Sequence, residues 1–162
     1  MDRDQIIETL LLWNCWEKGV DAGIPRESYL GHIRKFLATD EVVVLTGIRR
    51  SGKSTILLQV LAELCKGSVP PKNTLYINFE DARFYSSLSI ELIDAIWAAY
   101  REYLKPEGRV YLVLDEVQKI TGWEHWVRSM YDRKENVKIF VTGSNADILS
   151  PELATVLTGR HF

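Results

Sequence analysis

The chain has 162 residues, of which 46% are hydrophobic and 26% are charged. This composition is typical of one globular domain with an apolar core. The formal net charge of −2 excludes a global basic field that would attract nucleic acid or an anionic membrane. No apolar run approaches the roughly 20 residues of a membrane span, and no signal-peptide region is visible. We therefore expect a cytoplasmic protein without a membrane partner.

Two helices are predicted before the first strand. Apolar residues at helical spacing indicate a helix over 4–18 with Gly19 as its C-cap, and a second helix over 26–37. We treat 1–38 as a helical lead-in and 39–162 as the core. Cys15 and Cys65 lie in helical patterns without metal-ligand spacing, which indicates reduced thiols in the core or on helix faces.

A glycine-rich loop joins the first strand to the next helix. The β-rich run over 42–46 does not alternate, which predicts a strand buried on both faces. Gly47, Gly52, Lys53 and Ser54 then match the phosphate-binding pattern G-x-x-x-x-G-K-[ST]. Apolar residues at helical spacing follow, and Gly67 can end that helix. Strand, loop and helix thus occur in the order that this motif needs.

The residue types of this loop fit phosphate chemistry. Glycines let successive N–H groups face inward, and the helix N-terminus adds partial positive charge. Lys53 would reach the β- and γ-phosphate oxygens, while the Ser54 hydroxyl would ligate Mg²⁺. A glycine-rich turn that binds nothing is the alternative, which the flanking strand and helix disfavour. The candidate nucleotide-binding residues are Gly47, Ile48, Arg49, Arg50, Ser51, Gly52, Lys53, Ser54 and Thr55.

The lead-in offers candidate contacts to the nucleotide base. In many proteins with a phosphate-binding loop, such a segment lies over the base, so Ile24, Pro25 and Arg26 are candidates. The alternative is a packing helix pair joined by a proline turn, which the sequence favours over base contact.

A second chemical signal follows the third strand. A strand is expected over 74–79, then a helix capped by Ser89, then an apolar strand over 110–114 that ends in Asp115 and Glu116. This is the Walker B pattern, in which the Asp holds Mg²⁺ through its water shell and the Glu polarises the attacking water. Solvated turn acids are the alternative. A crossover that brings this strand beside the loop favours the functional interpretation.

Polar residues also end the fourth strand. Thr121 and Glu124 have capping-box spacing before an apolar helix face, and a strand follows over 137–142. Ser144 and Asn145, just beyond it, are candidates for contacting the γ-phosphate or the attacking water. A plain Gly-Ser-Asn turn is the alternative.

Taken together, these motifs resemble the AAA+ superfamily, and specifically the prokaryotic and archaeal AAA_14-type ATPases. The resemblance rests on Gly-Ile-Arg-Arg-Ser-Gly-Lys-Ser-Thr (47–55), Tyr-Ile-Asn-Phe-Glu-Asp (76–81), Leu-Asp-Glu-Val-Gln (114–118), Val-Thr-Gly-Ser-Asn-Ala (141–146) and Leu-Thr-Gly-Arg (157–160). It implies a three-layer α-β-α P-loop fold, a parallel sheet ordered 5-1-4-3-2, and ATP as the nucleotide. It also implies that Ser144 is the sensor, and that Arg160 lies near the γ-phosphate of its own or a neighbouring subunit.

The resemblance leaves two matters open. Arg49 and Arg50 could meet phosphates, or form salt bridges with Glu80 and Asp81. The family's fifth strand, helical lid and C-terminal domain should follow Arg160, so we expect a fragment in which strand 5 is missing or truncated. Such a fragment should bind nucleotide weakly and turn over slowly, and a nucleic-acid or protein client would act through the missing domain.

The leading hypothesis is therefore a Mg²⁺-dependent ATPase, in which Lys53, Glu116, Ser144, Asn145 and Arg160 act on ATP while Ser54 and Asp115 hold the metal. A nucleotide-gated switch with little hydrolysis is the alternative. A P-loop kinase is a third hypothesis, against which the Asp-Glu pair argues.

Overall fold

The computed structural model describes residues 1–144 and residue 148. Its four strands form one parallel sheet in the order β1-β4-β3-β2. The strands are β1 (Val43–Thr46), β2 (Thr74–Asn78), β3 (Val110–Asp115) and β4 (Val137–Gly143). The helices are α1 (Arg3–Trp13), α2 (Glu27–Arg34), α3 (Lys53–Lys66), α4 (Ile90–Leu104) and α5 (Trp123–Asp132). Short 3-10 helices lie at Pro71–Asn73, Ala82–Ser87 and Val117–Lys119.

Helices cover both faces of the sheet because successive strand residues point in opposite directions. Leu112 and Leu114 of β3 belong to a hydrophobic cluster with residues of α1, α4 and α5. Val113, between them, belongs to a second cluster with residues of α2 and α3. The predicted three-layer fold is confirmed, as is the 1-4-3-2 part of the strand order. The prediction that strand 5 is missing or truncated concerns residues outside those that the structure describes.

The parallel register brings the functional segments together at the edge formed by the carboxyl ends of the strands. Asn78 of β2 pairs with Asp115 of β3, and Thr46 of β1 pairs with Gly143 of β4. The loop after β1 and the acidic pair at the end of β3 therefore lie at the same edge of the sheet. In open parallel sheets, this carboxyl edge is where ligands bind.

The prediction for α1 is wrong at its C-terminal end, since the helix ends at Trp13 instead of at residue 18. The side chain of Asn14 donates to Tyr76 O at 2.9 Å and accepts from Tyr76 N at 2.7 Å. Trp16 Nε1 donates to Thr74 O at 2.7 Å. Residues 14–16, which we call the edge segment, thus cover the outer edge of β2. These long-range bonds outweigh the helical propensity of the sequence.

Three smaller predictions also need correction. Helix α2 begins at Glu27 and ends at Arg34, and turns follow it in place of another helical turn. The capping box at Thr121 is wrong because Gly122 is the N-cap of α5, with φ 81° and no capping side chain. Strand β1 is buried at Val43 but only partly buried from Val44 to Thr46, because it lies at an edge of the described sheet.

Other element ends agree with the sequence. Gly67 is the C-cap of α3, and the Ser89 hydroxyl accepts from Leu92 N at the start of α4. Within residues 1–144, no helix is long and apolar enough to cross a membrane.

Candidate functional site

The loop between β1 and α3 exposes the N-terminus of a helix. Gly52 is the N-cap of α3 with φ 88°, and no side chain caps that end. Arg50 also has a positive φ, 61°, so the chain turns sharply here. The first N–H groups of a helix lack intrahelical acceptors. Together with the helix dipole, they form an anion-binding end that points into the cleft.

Lys53 lies inside this loop. Its Nζ donates to Gly47 O at 3.2 Å and to Ile48 O at 3.1 Å, and it lies 3.8 Å from Glu116 Oε1. The side chain is only 7% exposed, so its charge is directed into the cleft. The cleft has a volume of about 490 Å³ and is lined by Arg49, Arg50, Gly52, Lys53, Ser54, Thr55, Glu80 and Glu116.

Asp115 is the centre of a hydroxyl cluster. Its Oδ1 accepts from Ser54 Oγ at 3.0 Å and from Thr142 Oγ1 at 2.5 Å. Its Oδ2 accepts from the phenol of Tyr76 at 2.5 Å. Burial, with the nearby Asp115 charge, raises the pKa of Tyr76, so the phenol keeps its proton as a donor. Strands β2 and β4 and helix α3 thus hold the Asp115 carboxylate, at the end of β3, in a single orientation.

Glu116 follows in a left-handed backbone conformation, with φ 55°. Its N–H donates to Thr142 Oγ1 at 2.9 Å, and its Oε2 accepts from Gln118 Nε2 at 2.7 Å. The Thr142 hydroxyl therefore joins the two acidic residues, since it donates to one and accepts from the next. The carboxylate of Glu116 lies between Lys53 and Gln118.

A charged rim surrounds the cleft. Arg49 Nη2 lies 2.7 Å from Glu80 Oε1, and Lys119 Nζ lies 3.9 Å from the same oxygen. Of the two roles left open for Arg49, the structure shows the ion pair with Glu80. Asp81 instead accepts from Trp13 Nε1 and Arg83.

The lead-in loop lies against the phosphate-binding loop. Arg26 Nη1 donates to Ser51 O at 3.1 Å, and a Cβ on Gly52 would lie 2.5 Å from that nitrogen. Buried Gln59 of α3 holds the lead-in, because it accepts from Arg26 N and donates to the carbonyls of Ala22 and Ile24. Pro25 and Arg26 therefore lie near the loop, while their contact with a base stays a prediction.

The structure brings together Lys53, Ser54, Asp115 and Glu116. Ser144 directly follows β4 at the same edge, whereas Asn145 and Arg160 lie outside the described residues. Sequence reasoning missed Tyr76, Thr142 and Gln118 as members of the site. Thr142 had a signal, as the polar end of an apolar strand. Tyr76 begins one of the motifs that carry the resemblance, but a tyrosine in a strand is typical of a core and does not by itself indicate a bond to Asp115.

The oxygen atoms of Ser54, at the start of α3, and Asp115, at the end of β3, fit Mg²⁺. Ser54 Oγ and Asp115 Oδ1 are 3.0 Å apart, and both are hard oxygen ligands. Among the described residues, no group of three or more His, Cys, Asp or Glu side chains could hold a metal ion. A Mg²⁺ site of the nucleotide-binding type uses few protein oxygens together with phosphates and water. The residues present fit that type.

A family model described as "AAA domain", AAA_14, matches residues 39–162. An uncharacterized protein of Haemophilus influenzae is 36% identical over 148 residues, which is 86% of this chain and 34% of the relative. Uncharacterized protein MJ1544 of Methanocaldococcus jannaschii is 34% identical over 126 residues, which is 78% of this chain and 26% of the relative. The chain thus spans between a quarter and about a third of the length of these relatives.

A solved structure shares the fold. The structure of PCH-2 from C. elegans matches with a TM-score of 0.52 and 19% identity. The match covers 81% of this chain and 39% of PCH-2. At this identity the likeness concerns the fold alone.

Proposed function

The chain belongs to the AAA_14 family of AAA domains, and on that premise we propose that it binds ATP with Mg²⁺ and hydrolyses it. The observation that carries the proposal is the convergence of Lys53, Ser54, Asp115 and Glu116 in one cleft. A positive amine, an oxygen pair suited to a metal and a second carboxylate are the groups that phosphoryl transfer to water needs.

Binding would use the loop and the helix N-terminus. The N–H groups at the start of α3 would donate to phosphate oxygens. The Lys53 amine would exchange the carbonyls of Gly47 and Ile48 for phosphate oxygens, which are stronger acceptors because they are charged. Ser54 and Asp115 would hold Mg²⁺, which neutralises charge on the phosphates when it is bound.

Hydrolysis would depend on Glu116. Its carboxylate lies 3.8 Å from Lys53 Nζ, close to where a bound γ-phosphate would meet that amine. There it would accept a proton from water as the water oxygen attacks phosphorus. Gln118 donates to the side chain of Glu116, and Thr142 accepts from its backbone N–H, so both bonds hold Glu116 in place. Ser144 remains our proposed sensor, and Asn145 and Arg160 stay predictions.

The relatives suggest a wider role. Because they are about three to four times as long as the matched region, we propose that nucleotide state here controls another part of a longer polypeptide. A nucleic-acid or protein client, and a homo-oligomer in which Arg160 reaches a neighbour, belong to the same proposal.

The test compares the wild type with Lys53→Ala and Glu116→Gln. Mg·ATP at 100 times its Kd stabilises a native protein by about 2.7 kcal/mol, which raises its melting temperature. We expect this rise in the wild type and in Glu116→Gln, and none in Lys53→Ala. Turnover should fall at least about 100-fold in Glu116→Gln, because it loses its base. Lys66→Ala, at the exposed end of the same helix, is the matched control.

Two outcomes would contradict parts of this proposal. If Mg·ATP leaves the melting temperature of the wild type unchanged, the cleft is not a competent site. If the wild type binds but releases no phosphate, the chain is a nucleotide-gated switch. The bond from Gln118 to Glu116 favours this second function, because it occupies one oxygen of the proposed base.

A further inference from the structure

The two cysteines meet although 50 residues separate them in the chain. Cys15 lies in the edge segment that covers β2, and Cys65 lies in the last turn of α3. Their sulfur atoms are 3.2 Å apart, and both also approach Thr74 Oγ1, at 3.7 and 3.9 Å. The prediction of a helix-face thiol fits Cys65, whereas Cys15 lies outside any helix. Both cysteines are free and partly exposed.

The pair is chemically asymmetric. The hydrogen bond between the two sulfur atoms lowers the pKa of Cys15 to about 6. The same bond, together with burial, raises the pKa of Cys65. Cys15 therefore holds more thiolate than Cys65 near neutral pH, and the thiolate is the form that attacks oxidants. Cys65 keeps its proton, and its sulfur atom is close enough to attack a sulfenic acid that forms on Cys15.

We propose that Cys15 and Cys65 are a redox modification site that a peroxide converts into an intramolecular disulfide. The Cys15 thiolate attacks one peroxide oxygen, the O–O bond breaks, and hydroxide leaves as water after it takes a proton. Cys65 then attacks the sulfur of the resulting sulfenic acid, the S–O bond breaks, and the second oxygen leaves as water with the Cys65 proton. The two thiols lose two electrons in total, and the peroxide is reduced to two waters.

The new bond would join the edge segment to the helix that carries the phosphate-binding loop. It would close a loop of about 50 residues that contains α2 and β1. Closing a loop of this length restricts the unfolded chain and raises the melting temperature, by roughly 10 °C for a domain of this size. This inference does not depend on nucleotide hydrolysis, because Thr74, the residue that both cysteines approach, does not line the cleft.

The test treats the purified chain with a small excess of hydrogen peroxide and then blocks free thiols. We expect the intact mass to fall by two hydrogen atoms, both thiols to resist a thiol-reactive dye, and a peptide map to link Cys15 to Cys65. Dithiothreitol should reverse all three changes, and the oxidised form should melt higher. Two titratable thiols after treatment, or only intermolecular crosslinks, would overturn the proposal.

Single variants assign the two roles. Cys65→Ser should accumulate a sulfenic acid on Cys15 that a dimedone probe traps, with no crosslink. Cys15→Ser should react with peroxide more slowly than Cys65→Ser, because burial still raises the pKa of the remaining Cys65 thiol. Equal rates in the two variants would contradict the assignment of Cys15 as the attacking thiol. If a variant fails to fold, the peptide map of the wild type still decides whether the Cys15–Cys65 disulfide forms.

Discussion

The phenol of Tyr76 donates a hydrogen bond of 2.5 Å to the carboxylate of Asp115. The two residues lie on neighbouring strands but are not paired in register, since Tyr76 pairs with Val113 and Asp115 pairs with Asn78. The long side chain of Tyr76 therefore reaches along the sheet to its carboxyl edge. It occupies Oδ2 of Asp115 and leaves Oδ1 to the hydroxyls of Ser54 and Thr142.

Tyr76→Phe should weaken metal binding more than it weakens the fold. Loss of a buried bond to a carboxylate lowers the free energy of unfolding by about 1–3 kcal/mol. Loss of a partner that orients a metal ligand raises the Mg²⁺ concentration needed for half-maximal turnover by roughly 10-fold or more. Urea unfolding and a Mg²⁺ titration of ATP turnover measure the two effects.

Tyr111→Phe is the matched control for this prediction. Tyr111 belongs to the same hydrophobic cluster, but it pairs with Thr74 and Lys138 nearer the other end of the sheet. We expect its Mg²⁺ requirement to equal that of the wild type. An unchanged Mg²⁺ requirement in Tyr76→Phe would show that its phenol has a structural role only.

Thr142→Val should remove the hydroxyl that bonds to both acidic residues, Asp115 and Glu116. Valine keeps the shape of threonine but removes the hydroxyl, so Asp115 loses a donor and the N–H of Glu116 loses its acceptor. Unfolding free energy should fall by about 2–4 kcal/mol. Turnover should fall by roughly 10-fold or more, since the proposed base is no longer held. Chemical denaturation and steady-state turnover provide the measurements.

Thr142→Ser keeps the hydroxyl and is the control. It should restore most of the turnover, and it should lose only the stability that one buried methyl provides, about 1 kcal/mol. If the valine and serine variants have equal turnover, the hydroxyl of Thr142 does not position Glu116.

Asn14→Ala should expose the edge of β2. The Asn14 side chain satisfies both backbone groups of Tyr76, as a neighbouring strand would. Without it, a buried N–H and a buried carbonyl lose partners, and unfolding free energy falls by about 2–4 kcal/mol. Hydrogen exchange at the Tyr76 amide should accelerate more than at other amides of β2. Asn136→Ala, at an exposed position, should change stability by less than about 0.5 kcal/mol.

The sequence predicted the parts of the site whose placement follows from topology. A strand, a glycine loop and a helix have a fixed order, and parallel strands bring their carboxyl ends to one edge. Lys53, Ser54, Asp115 and Glu116 could therefore be placed together from the order of their motifs along the chain. The strand order itself came from the family resemblance, because spacing alone does not order strands.

The missed features depend on pairings between distant residues. Asn14 bonds to Tyr76 across 62 residues, and Cys15 meets Cys65 across 50. Local periodicity predicts a helix through Asn14 and carries no information about the backbone that its amide pairs with. Several polar residues end the same strand, and the sequence alone favours Ser144 over Thr142 as a member of the site. Register decides which of them faces Asp115.

Lys138 lies at the other end of the sheet from the cleft and is fully buried. Its Nζ donates to Thr39 O and Thr39 Oγ1, at 3.2 and 3.1 Å, and to Glu41 O at 2.6 Å. Burial, with the nearby Arg109 charge, lowers the pKa of Lys138 to about 8. This amine anchors the segment between α2 and β1, and a charged form inside the protein costs stability.

The lowered pKa predicts a fold that becomes more stable as the pH rises above 8. Between about pH 8 and about pH 10.4, the unfolded chain holds a proton on Lys138 that the folded chain has released. The unfolded state then binds more protons, so unfolding free energy rises with pH, by up to about 1.4 kcal/mol per unit. Below about pH 8 Lys138 is protonated in both the folded and the unfolded state, so its contribution to the unfolding free energy does not change with pH.

Lys138→Met isolates this contribution because methionine cannot titrate. Urea unfolding at about pH 7.5, 8.5 and 9.5 should show a steeper rise in the wild type than in Lys138→Met. The raised pKa values of Tyr76 and Tyr100 oppose this rise only above about pH 10, and they act equally in both proteins. Lys35→Met, at an exposed position, should follow the wild type. Parallel curves for the wild type and Lys138→Met would mean that the three oxygen acceptors keep this amine charged despite its burial.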